Sequence, residues 1–251
     1  MILEGKKVVV TGASSGIGRA IARRCAGAGA DLLITYRRNR VGADETATEL
    51  AGTGRRVEVL QADIAREDDV AALAREAGRR LGGVDVWINN AGADILTGEG
   101  SRRTPLEKLD LLLAVDVRGT VLASWAAAKL MRERGRGGVI VNMSWDHVLL
   151  GMAGENPVLY SAAKGAVMSF SKSLAREVAP DIRVNILAPG FIETAFAEEE
   201  AESRFRQQVI ERTPLRRWGT PDDVAGAALF LASDDAQFMT GQMVMVNGGV
   251  V

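Results

Sequence analysis

The sequence predicts an α/β protein built on a doubly wound parallel sheet with helices on both faces. Short apolar runs rich in β-branched residues alternate with longer helical patterns along nearly all of the 251 residues. Strands that are apolar on both faces are typical of a parallel sheet covered by helices on each side. No repeat, low-complexity tract or Pro/Gly-rich linker interrupts residues 1–251, so we expect a single domain.

Seven short runs are predicted as strands because aliphatic and β-branched residues dominate each of them. Right-handed crossovers arrange such parallel strands into one doubly wound, seven-stranded sheet. A long amphipathic helix is predicted before the sixth strand, where Val167, Phe170, Leu174 and Val178 share one face. The predicted strands are Lys7–Val10, Asp31–Thr35, Arg56–Leu60, Val84–Ile88, Val139–Asn142, Arg183–Ile186 and Met243–Val246.

Composition and charge narrow the class of partner. The chain is 47% hydrophobic and 25% charged, with a net charge of -1, so no field attracts nucleic acid or an anionic membrane. The single cysteine, Cys25, excludes an internal disulfide and a thiolate metal cluster, and we predict that it is buried. With no signal-peptide pattern and no apolar run that we judge long enough to span a bilayer, we expect a cytoplasmic protein without a metal.

Three glycines follow the first predicted strand and open a helix. Gly12 permits a tight turn, Gly16 permits close approach of the backbone to a phosphate, and Gly18 permits close contact between helix and strand. The N-terminus of the helix adds N–H donors and a partial positive charge. A glycine-rich turn without a ligand is the alternative, but the strand–turn–helix context favours a dinucleotide site in a Rossmann-type sheet.

The end of the second predicted strand indicates which dinucleotide is bound. An NAD site usually places an acidic side chain there, whereas a 2′-phosphate is bound by a guanidinium. Arg37 and Arg38 occupy this position, and residues 32–41 contain no Asp or Glu. We therefore predict NADP(H) rather than NAD(H), although two arginines in a loop are also compatible with simple solvation.

Tyr160 and Lys164 stand four residues apart and project from the same face of a predicted helix. A free tyrosine ionises near about pH 10, and a neighbouring ammonium stabilises the phenolate. The pair therefore predicts a phenol that exchanges a proton with a carbonyl or an alcohol. By itself the spacing is a weak signal, because both residue types are common on helices.

Together these motifs make the chain resemble the short-chain dehydrogenase/reductase family over nearly its whole length, including its 3-oxoacyl-carrier-protein reductase and carbonyl reductase types. The resemblance implies an NADP(H)-dependent oxidoreductase that transfers a hydride between nicotinamide and a small-molecule carbonyl or secondary alcohol. It also implies a homo-oligomer, a tetramer or a dimer. The matching segments are Thr11–Gly18, Asp63, Asn89–Gly92, Tyr160 with Lys164, Pro189-Gly190 with Thr194, and Thr240–Gln242 leading to Asn247–Gly249.

The resemblance also implies roles for individual residues. Tyr160 is the proton donor, and Lys164 orients the ribose and tunes Tyr160. Asp63 contacts the adenine, Asn89 supports the cofactor pocket, and Ile192 and Thr194 lie beside the carboxamide. The complete implied cofactor-binding set is Gly12, Ser14, Ser15, Gly16, Ile17, Gly18, Arg37, Arg38, Asp63, Ile64, Asn89, Ala91, Gly92, Tyr160, Lys164, Pro189, Gly190, Ile192 and Thr194.

One departure from the family pattern is Asp116, which stands where the family has an asparagine that holds a water next to the lysine. The carboxylate is either a harmless polar replacement or an active electrostatic change. In the second case it favours protonated Lys164 and partly cancels the field acting on Tyr160. We keep both interpretations and include Asp116 among the candidate catalytic residues.

The second departure lies in Asn142–His147, where the family usually reads Asn-x-Ser-Ser and the later serine holds the substrate oxygen. Counting from the asparagine places that serine at Trp145, and counting back from the catalytic tyrosine places it near His147. Ser144 is our first candidate because it is a neutral hydroxyl donor, with Asp146 and His147 as alternatives. The tryptophan is predicted either to pack or to form an apolar wall.

Loops supply the predicted substrate pocket, from residues 94–103, 146–157 and 195–218. Leu149, Leu150, Met152 and Phe196 suggest an apolar lining. The polar segment Ala195–Arg217 is either a solvated surface helix or a mobile flap over the pocket. We favour the flap because the segment follows a strand's carboxyl end.

An alternative function is a degenerate family member that binds NADP(H) as a sensor or partner scaffold without turnover. The altered positions Asp116 and Trp145 motivate this alternative. Retention of both Tyr160 and Lys164 argues against it, because a pure binding protein has no need of the phenol.

Overall fold

All seven predicted strands form, and they join into one parallel sheet in the order β3-β2-β1-β4-β5-β6-β7. The computed structural model describes residues 1–199 and 203–251. Helices cover both faces, so the predicted Rossmann-type, doubly wound sheet is confirmed. Strand ends differ from the prediction by a few residues, most at β6. The strands are β1 (Lys7–Val10), β2 (Asp31–Tyr36), β3 (Val57–Gln61), β4 (Val86–Asn89), β5 (Gly138–Met143), β6 (Ile182–Pro189) and β7 (Met243–Val246).

The helices connect the strands as right-handed crossovers require. A π-helical segment, Leu113–Gly119, joins α5 to α6, and short 3₁₀ turns occupy Asp146–Val148 and Asp234–Ala236. The helices are α1 (Gly16–Gly27), α2 (Arg40–Ala51), α3 (Glu67–Leu81), α4 (Gly98–Ser101), α5 (Pro105–Leu112), α6 (Thr120–Arg134), α7 (Glu155–Glu177), α8 (Ala195–Glu199), α9 (Arg204–Arg212) and α10 (Pro221–Ala232).

Two apolar layers sandwich the sheet because successive side chains of a strand point to opposite faces. Val8 and Val10 of β1 pack in the layer that contains α1 and α10, whereas Val9 packs in the layer with α3 and α6. Cys25 is buried, as predicted, and it belongs to the first layer. Its burial raises the pKa of the thiol to about 12.

No segment able to span a bilayer was expected from the sequence, but the continuous helix Pro105–Arg134 meets that criterion by length and composition. Half of its most apolar stretch is buried inside the protein. Ala123, Ala127 and Met131 pack there with Trp87 of β4. Core helices of folded domains meet the same length and composition criteria, and the packing here is of that kind.

The order of the strands reverses at β1, which lies between β2 and β4. In open α/β sheets, a crevice forms outside the carboxyl ends of the strands at such a reversal, and ligands bind there. Val10 of β1 pairs with Ile88 of β4 at this edge. The turns that follow these two strands therefore define one side of the candidate site.

Candidate active site

The turn between β1 and α1 has the geometry of a phosphate-binding turn. Gly12 adopts φ +66°, which L side chains rarely adopt, and a Cβ there would lie 2.8 Å from Ala91 Cα. A Cβ on Gly18 would lie 2.2 Å from the Gly12 carbonyl oxygen. Within the described chain, the Ser15 side chain makes no capping hydrogen bond, and the first turn of α1 holds no acidic residue. The first N–H groups of α1 are thus available to an anion.

Side chains just after β1 and β4, and one from α1, fix this turn in place. The Asn90 amide donates to the carbonyl oxygens of Thr11 and Gly12, both at 3.0 Å. The Thr11 hydroxyl accepts from the N–H groups of Asn90 and Ala91, also at 3.0 Å, and Arg19 donates to the Ser14 carbonyl at 2.9 Å. The turn, the open helix end and their place at the strand reversal fit a dinucleotide.

The residues predicted for the adenosine end lie at the carboxyl ends of β2 and β3. Arg37 and Arg38 are exposed. The Arg38 guanidinium lies 3.8 Å from the exposed carboxylate of Glu99, a distance at which an exposed ion pair contributes little. The Asp63 carboxylate accepts from the Ala65 N–H at 3.0 Å, and Ile64 is buried in the second apolar layer.

Asn89 lies in the core rather than in the pocket. Its amide donates to Asn142 Oδ1 at 2.8 Å and to Ser124 Oγ at 3.0 Å. Its carbonyl oxygen accepts from the indole N–H of Trp87 at 2.8 Å. Asn89 therefore connects β4 to β5 directly beneath the site.

Tyr160 and Lys164 lie one helical turn apart on α7, and the Lys164 ammonium lies 5.4 Å from the Tyr160 ring centroid. Lys164 is buried, and its Nζ lies 2.6 Å from Asp116 Oδ1. The same ammonium donates to the Met143 carbonyl at 3.3 Å. A buried ion pair therefore holds the lysine beside the phenol.

Asp116 is fully buried within the π-helical segment, and such widened turns are frequent at functional sites. Its Oδ2 accepts from the Ala93 N–H at 2.8 Å. A Cβ on Gly92 would lie 3.1 Å from Asp116 Oδ1, a tight contact, so the glycine lets the backbone approach the ion pair closely. This geometry favours the electrostatic interpretation of Asp116 over a harmless replacement.

The pKa of Tyr160 is raised, contrary to the expectation that Lys164 makes the phenol more acidic. Burial raises this pKa most, the Lys164 charge lowers it, and the charges of Asp116 and Asp94 raise it. Burial lowers the pKa of Lys164, but Asp116 and Tyr160 together raise it by more than burial lowers it. The pKa of Lys164 therefore lies above its ordinary value. The free site therefore holds a protonated phenol beside an ammonium.

The segment directly after β5 carries the three polar candidates for holding the substrate oxygen, Ser144, Asp146 and His147. The Ser144 hydroxyl donates to the Lys164 carbonyl at 2.9 Å and is buried. His147 Nδ1 lies 2.6 Å from Asp146 Oδ1. The Trp145 ring stacks on His147 with centroids 4.8 Å apart, and lies edge-on to Tyr160 at 5.4 Å. Neither Asp146 nor His147 is among the described residues that line the cavity.

A cavity of about 510 Å³ opens beside the catalytic pair. Aromatic side chains form much of one wall, and they belong to a cluster that seats Trp218 among Phe191, Phe196 and Phe205. Leu149 and Leu150 were predicted in the lining, but they are 54% and 72% exposed. Predicted residues that do line the cavity are Ile17, Gly92, Ser144, Met152, Tyr160, Lys164, Pro189, Gly190, Ile192, Thr194 and Phe196.

Comparison with known proteins decides the family. The family model described as enoyl-(acyl carrier protein) reductase matches residues 12–251. The chain is 38% identical over 255 residues to the L-rhamnose 1-dehydrogenase (NAD(P)(+)) of Azotobacter vinelandii, covering 100% of this chain and 98% of that protein. It is 36% identical over 255 residues to the 3-oxoacyl-(acyl-carrier-protein) reductase of Aquifex aeolicus, covering 99% and 98%. The chain belongs to the short-chain dehydrogenase/reductase family.

Solved structures agree with this assignment. The crystal structure of a short-chain dehydrogenase from Burkholderia cenocepacia in complex with NADP has a TM-score of 0.89 and 33% identity, covering 100% of this chain and 99% of that one. This short-chain dehydrogenase/reductase is therefore an NAD(P)-dependent oxidoreductase.

The sequence analysis of this short-chain dehydrogenase/reductase missed part of the pocket wall. Phe191 lines the cavity but lies outside the three predicted pocket segments. Phe205, which also lines the cavity, and Asp94, which raises the pKa of Tyr160, lie inside segments 195–218 and 94–103 but were not named individually. Phe191 directly follows Pro189-Gly190, so its place after a strand's carboxyl end was an available signal. For Phe205 the sequence indicated only the segment, because α9 brings this side chain to the site through packing on Phe191 and Trp218.

Proposed function

We propose that this short-chain dehydrogenase/reductase interconverts a carbonyl and an alcohol with NADP(H), and that Tyr160 is the acid–base group. The observation that carries the proposal is that Tyr160 and Lys164, the latter paired with Asp116, line a cavity that continues to Ile17 in the first turn of α1. A proton donor, a buried ammonium and a phosphate-binding turn at one crevice are the parts that such a reaction requires.

A bound nicotinamide cofactor supplies the hydride when a carbonyl is reduced. Residues 12–18 would hold its pyrophosphate, and Ile192 and Thr194 would orient the nicotinamide. The Tyr160 hydroxyl donates its proton to the carbonyl oxygen, and the Lys164 ammonium stabilises the phenolate that remains. Because the pKa of Tyr160 is raised, the acid form that reduction needs predominates at neutral pH, whereas oxidation needs the phenolate and a higher pH.

Asp116→Asn is expected to move the pH–rate profile of alcohol oxidation to lower pH by about one unit, the usual scale for a single nearby charge. The negative charge of Asp116 raises the pKa of Tyr160, so its removal lowers that pKa and the phenolate forms at lower pH. The profile is measured with a secondary alcohol and NADP. Asp110→Asn, an exposed change on α5, is the matched control, and an unchanged Asp116→Asn profile would remove Asp116 from the mechanism.

The exposed arginines at the end of β2 support a preference for NADP(H). Replacing both Arg37 and Arg38 by Ala is expected to raise the KM for NADPH by about tenfold or more, since hydrogen bonds to charged groups contribute about 1.5–3 kcal/mol. The KM for NADH should stay nearly constant. Arg136→Ala is the control, because Arg136 lies in the loop before β5, at the amino ends of the strands and away from the predicted cofactor site. An equal effect on both cofactors would contradict the preference.

Turnover assays distinguish the proposed enzyme from the alternative, a protein that binds NADP(H) as a sensor or scaffold. NADPH oxidation is followed with ketones, aldehydes and quinones, and NADP reduction with the matching alcohols. Binding of NADPH without turnover on any substrate in either direction would support the sensor. A cytoplasmic location and a homotetramer or dimer stay predictions.

A further inference from the structure

Trp145 differs from the other tryptophans in how its indole N–H is used. Trp87 donates to Asn89 at 2.8 Å, Trp218 donates to the Arg206 carbonyl at 3.3 Å, and Trp125 is 57% exposed. Trp145 is only 8% exposed, yet its N–H has no hydrogen-bond partner within residues 1–199 and 203–251. The indole nitrogen is not completely enclosed either, since it is not one of the fully buried polar atoms of those residues that lack a partner. Because Trp145 lines the cavity, its ring lies within reach of a molecule bound there.

The neighbours of Trp145 hold its ring in one orientation. His147 stacks on one face at 4.8 Å, and Asp146 holds His147 at 2.6 Å. Tyr160 meets the indole edge-to-face, with centroids 5.4 Å apart and an interplanar angle of 72°. A donor whose orientation is already fixed beside the proton-donating phenol loses little conformational freedom when it binds an oxygen. Such preorganisation is the condition for effective stabilisation of developing charge.

The other candidates for this role are less well placed to donate to a molecule in the cavity. The single hydroxyl proton of Ser144 is donated to the Lys164 carbonyl at 2.9 Å. The Asp146 carboxylate accepts from the backbone N–H of His147 at 2.8 Å, and neither residue is among the described residues that line the cavity. Counting from Asn142, the family's substrate-holding serine falls on position 145, where the indole stands. Counting back from Tyr160, it falls near His147, which is not among the described residues that line the cavity.

We propose that the Trp145 indole N–H donates a hydrogen bond to the substrate's carbonyl oxygen, next to the Tyr160 hydroxyl. This inference rests on the proposed carbonyl–alcohol chemistry. An indole N–H only donates, whereas a serine hydroxyl donates and accepts. Trp145 therefore stabilises negative charge on the oxygen but transfers no proton, and the whole proton transfer goes through Tyr160.

Trp145→Phe tests the donor, because phenylalanine keeps an aromatic ring against His147 and Tyr160 but removes the N–H. The kcat of carbonyl reduction is expected to fall by about 10²-fold, the typical effect of deleting one oxyanion donor. The Kd for NADPH, measured by fluorescence titration, and the pH at half-maximal rate should not change. Trp125→Phe, an exposed change on α6, is the matched control and should keep the wild-type kcat.

Trp145→Ser separates a donor from a packing role. If the N–H matters, the new hydroxyl makes the kcat of Trp145→Ser at least about tenfold higher than that of Trp145→Phe, as one hydrogen bond to developing charge predicts. If the ring only packs, Trp145→Ser is slower than Trp145→Phe, and the proposal is wrong. It is also wrong if Trp145→Phe keeps the wild-type kcat while Tyr160→Phe is inactive, a result that leaves the proposed function intact. Absence of turnover by the wild-type chain on every carbonyl overturns both.

Discussion

Tyr160→Phe is expected to lower the kcat of carbonyl reduction by about 10³-fold while NADPH binding is retained, since general acid catalysis contributes about 10²–10⁴-fold. Phenylalanine keeps the ring that meets Trp145 edge-on, so the pocket wall is preserved. Only the exchangeable proton is removed. Turnover is measured by NADPH oxidation with a ketone, and binding by fluorescence titration.

Two lysine variants on the same helix complete this experiment. Lys164→Met should reduce kcat as well and also weaken NADPH binding, because the buried ammonium lies at the cavity. It also leaves Asp116 buried without its ion-pair partner, so thermal unfolding is recorded for each variant. Lys172→Met, an exposed change on α7, is the control. Wild-type turnover by Tyr160→Phe would show that the proposed chemistry is wrong even though the family is established.

Gly18→Ala is expected to abolish measurable NADPH binding and to lower the free energy of unfolding by about 1–3 kcal/mol, the usual cost of overpacking. The added Cβ would lie 2.2 Å from the Gly12 carbonyl oxygen and 2.5 Å from Asn90 Nδ2. Neither clash is relieved by a flexible chain end, because one atom is backbone and the other amide holds the turn. The turn that receives the pyrophosphate must therefore move.

Gly27→Ala provides a control within the same helix. A Cβ on Gly27 would meet nothing within 4 Å, and Ala is favoured over Gly in helices by up to about 1 kcal/mol. This variant should bind NADPH normally and unfold at the same or a slightly higher temperature. Both variants are titrated well below their unfolding temperatures. Normal binding by Gly18→Ala would contradict the assignment of the dinucleotide turn.

The fold was predictable because its strands are apolar on both faces. Val8, Val9 and Val10 leave no polar face for solvent, so a sheet with helices on one side only would expose at least one of them. The end of β6 was harder to predict, since the strand continues through Ala188 to Pro189. Pairing with β7, where Pro189 meets Val246, extends this strand.

Parts of the site depend on contacts between distant segments, and the sequence predicted these contacts only in outline: it placed Asp116 near Lys164 but did not predict a direct ion pair. Asp116 and Lys164 are 48 residues apart, and the π-helical segment and α7 bring them to 2.6 Å. The expected effect of Lys164 on Tyr160 had the correct sign. The net direction of the pKa was nevertheless wrong, because burial and two carboxylates act on the phenol as well. Burial of one side chain depends on the whole fold.

The sealed position of Cys25 makes the natural chain a suitable background for thiol-directed labelling. With its pKa near 12, this thiol carries almost no thiolate at neutral pH and does not compete for a maleimide dye. A single introduced thiol, such as Gln208→Cys on the exposed face of α9, then carries the only fluorophore. Its emission with and without NADPH would report whether the segment after β6 closes over the cavity.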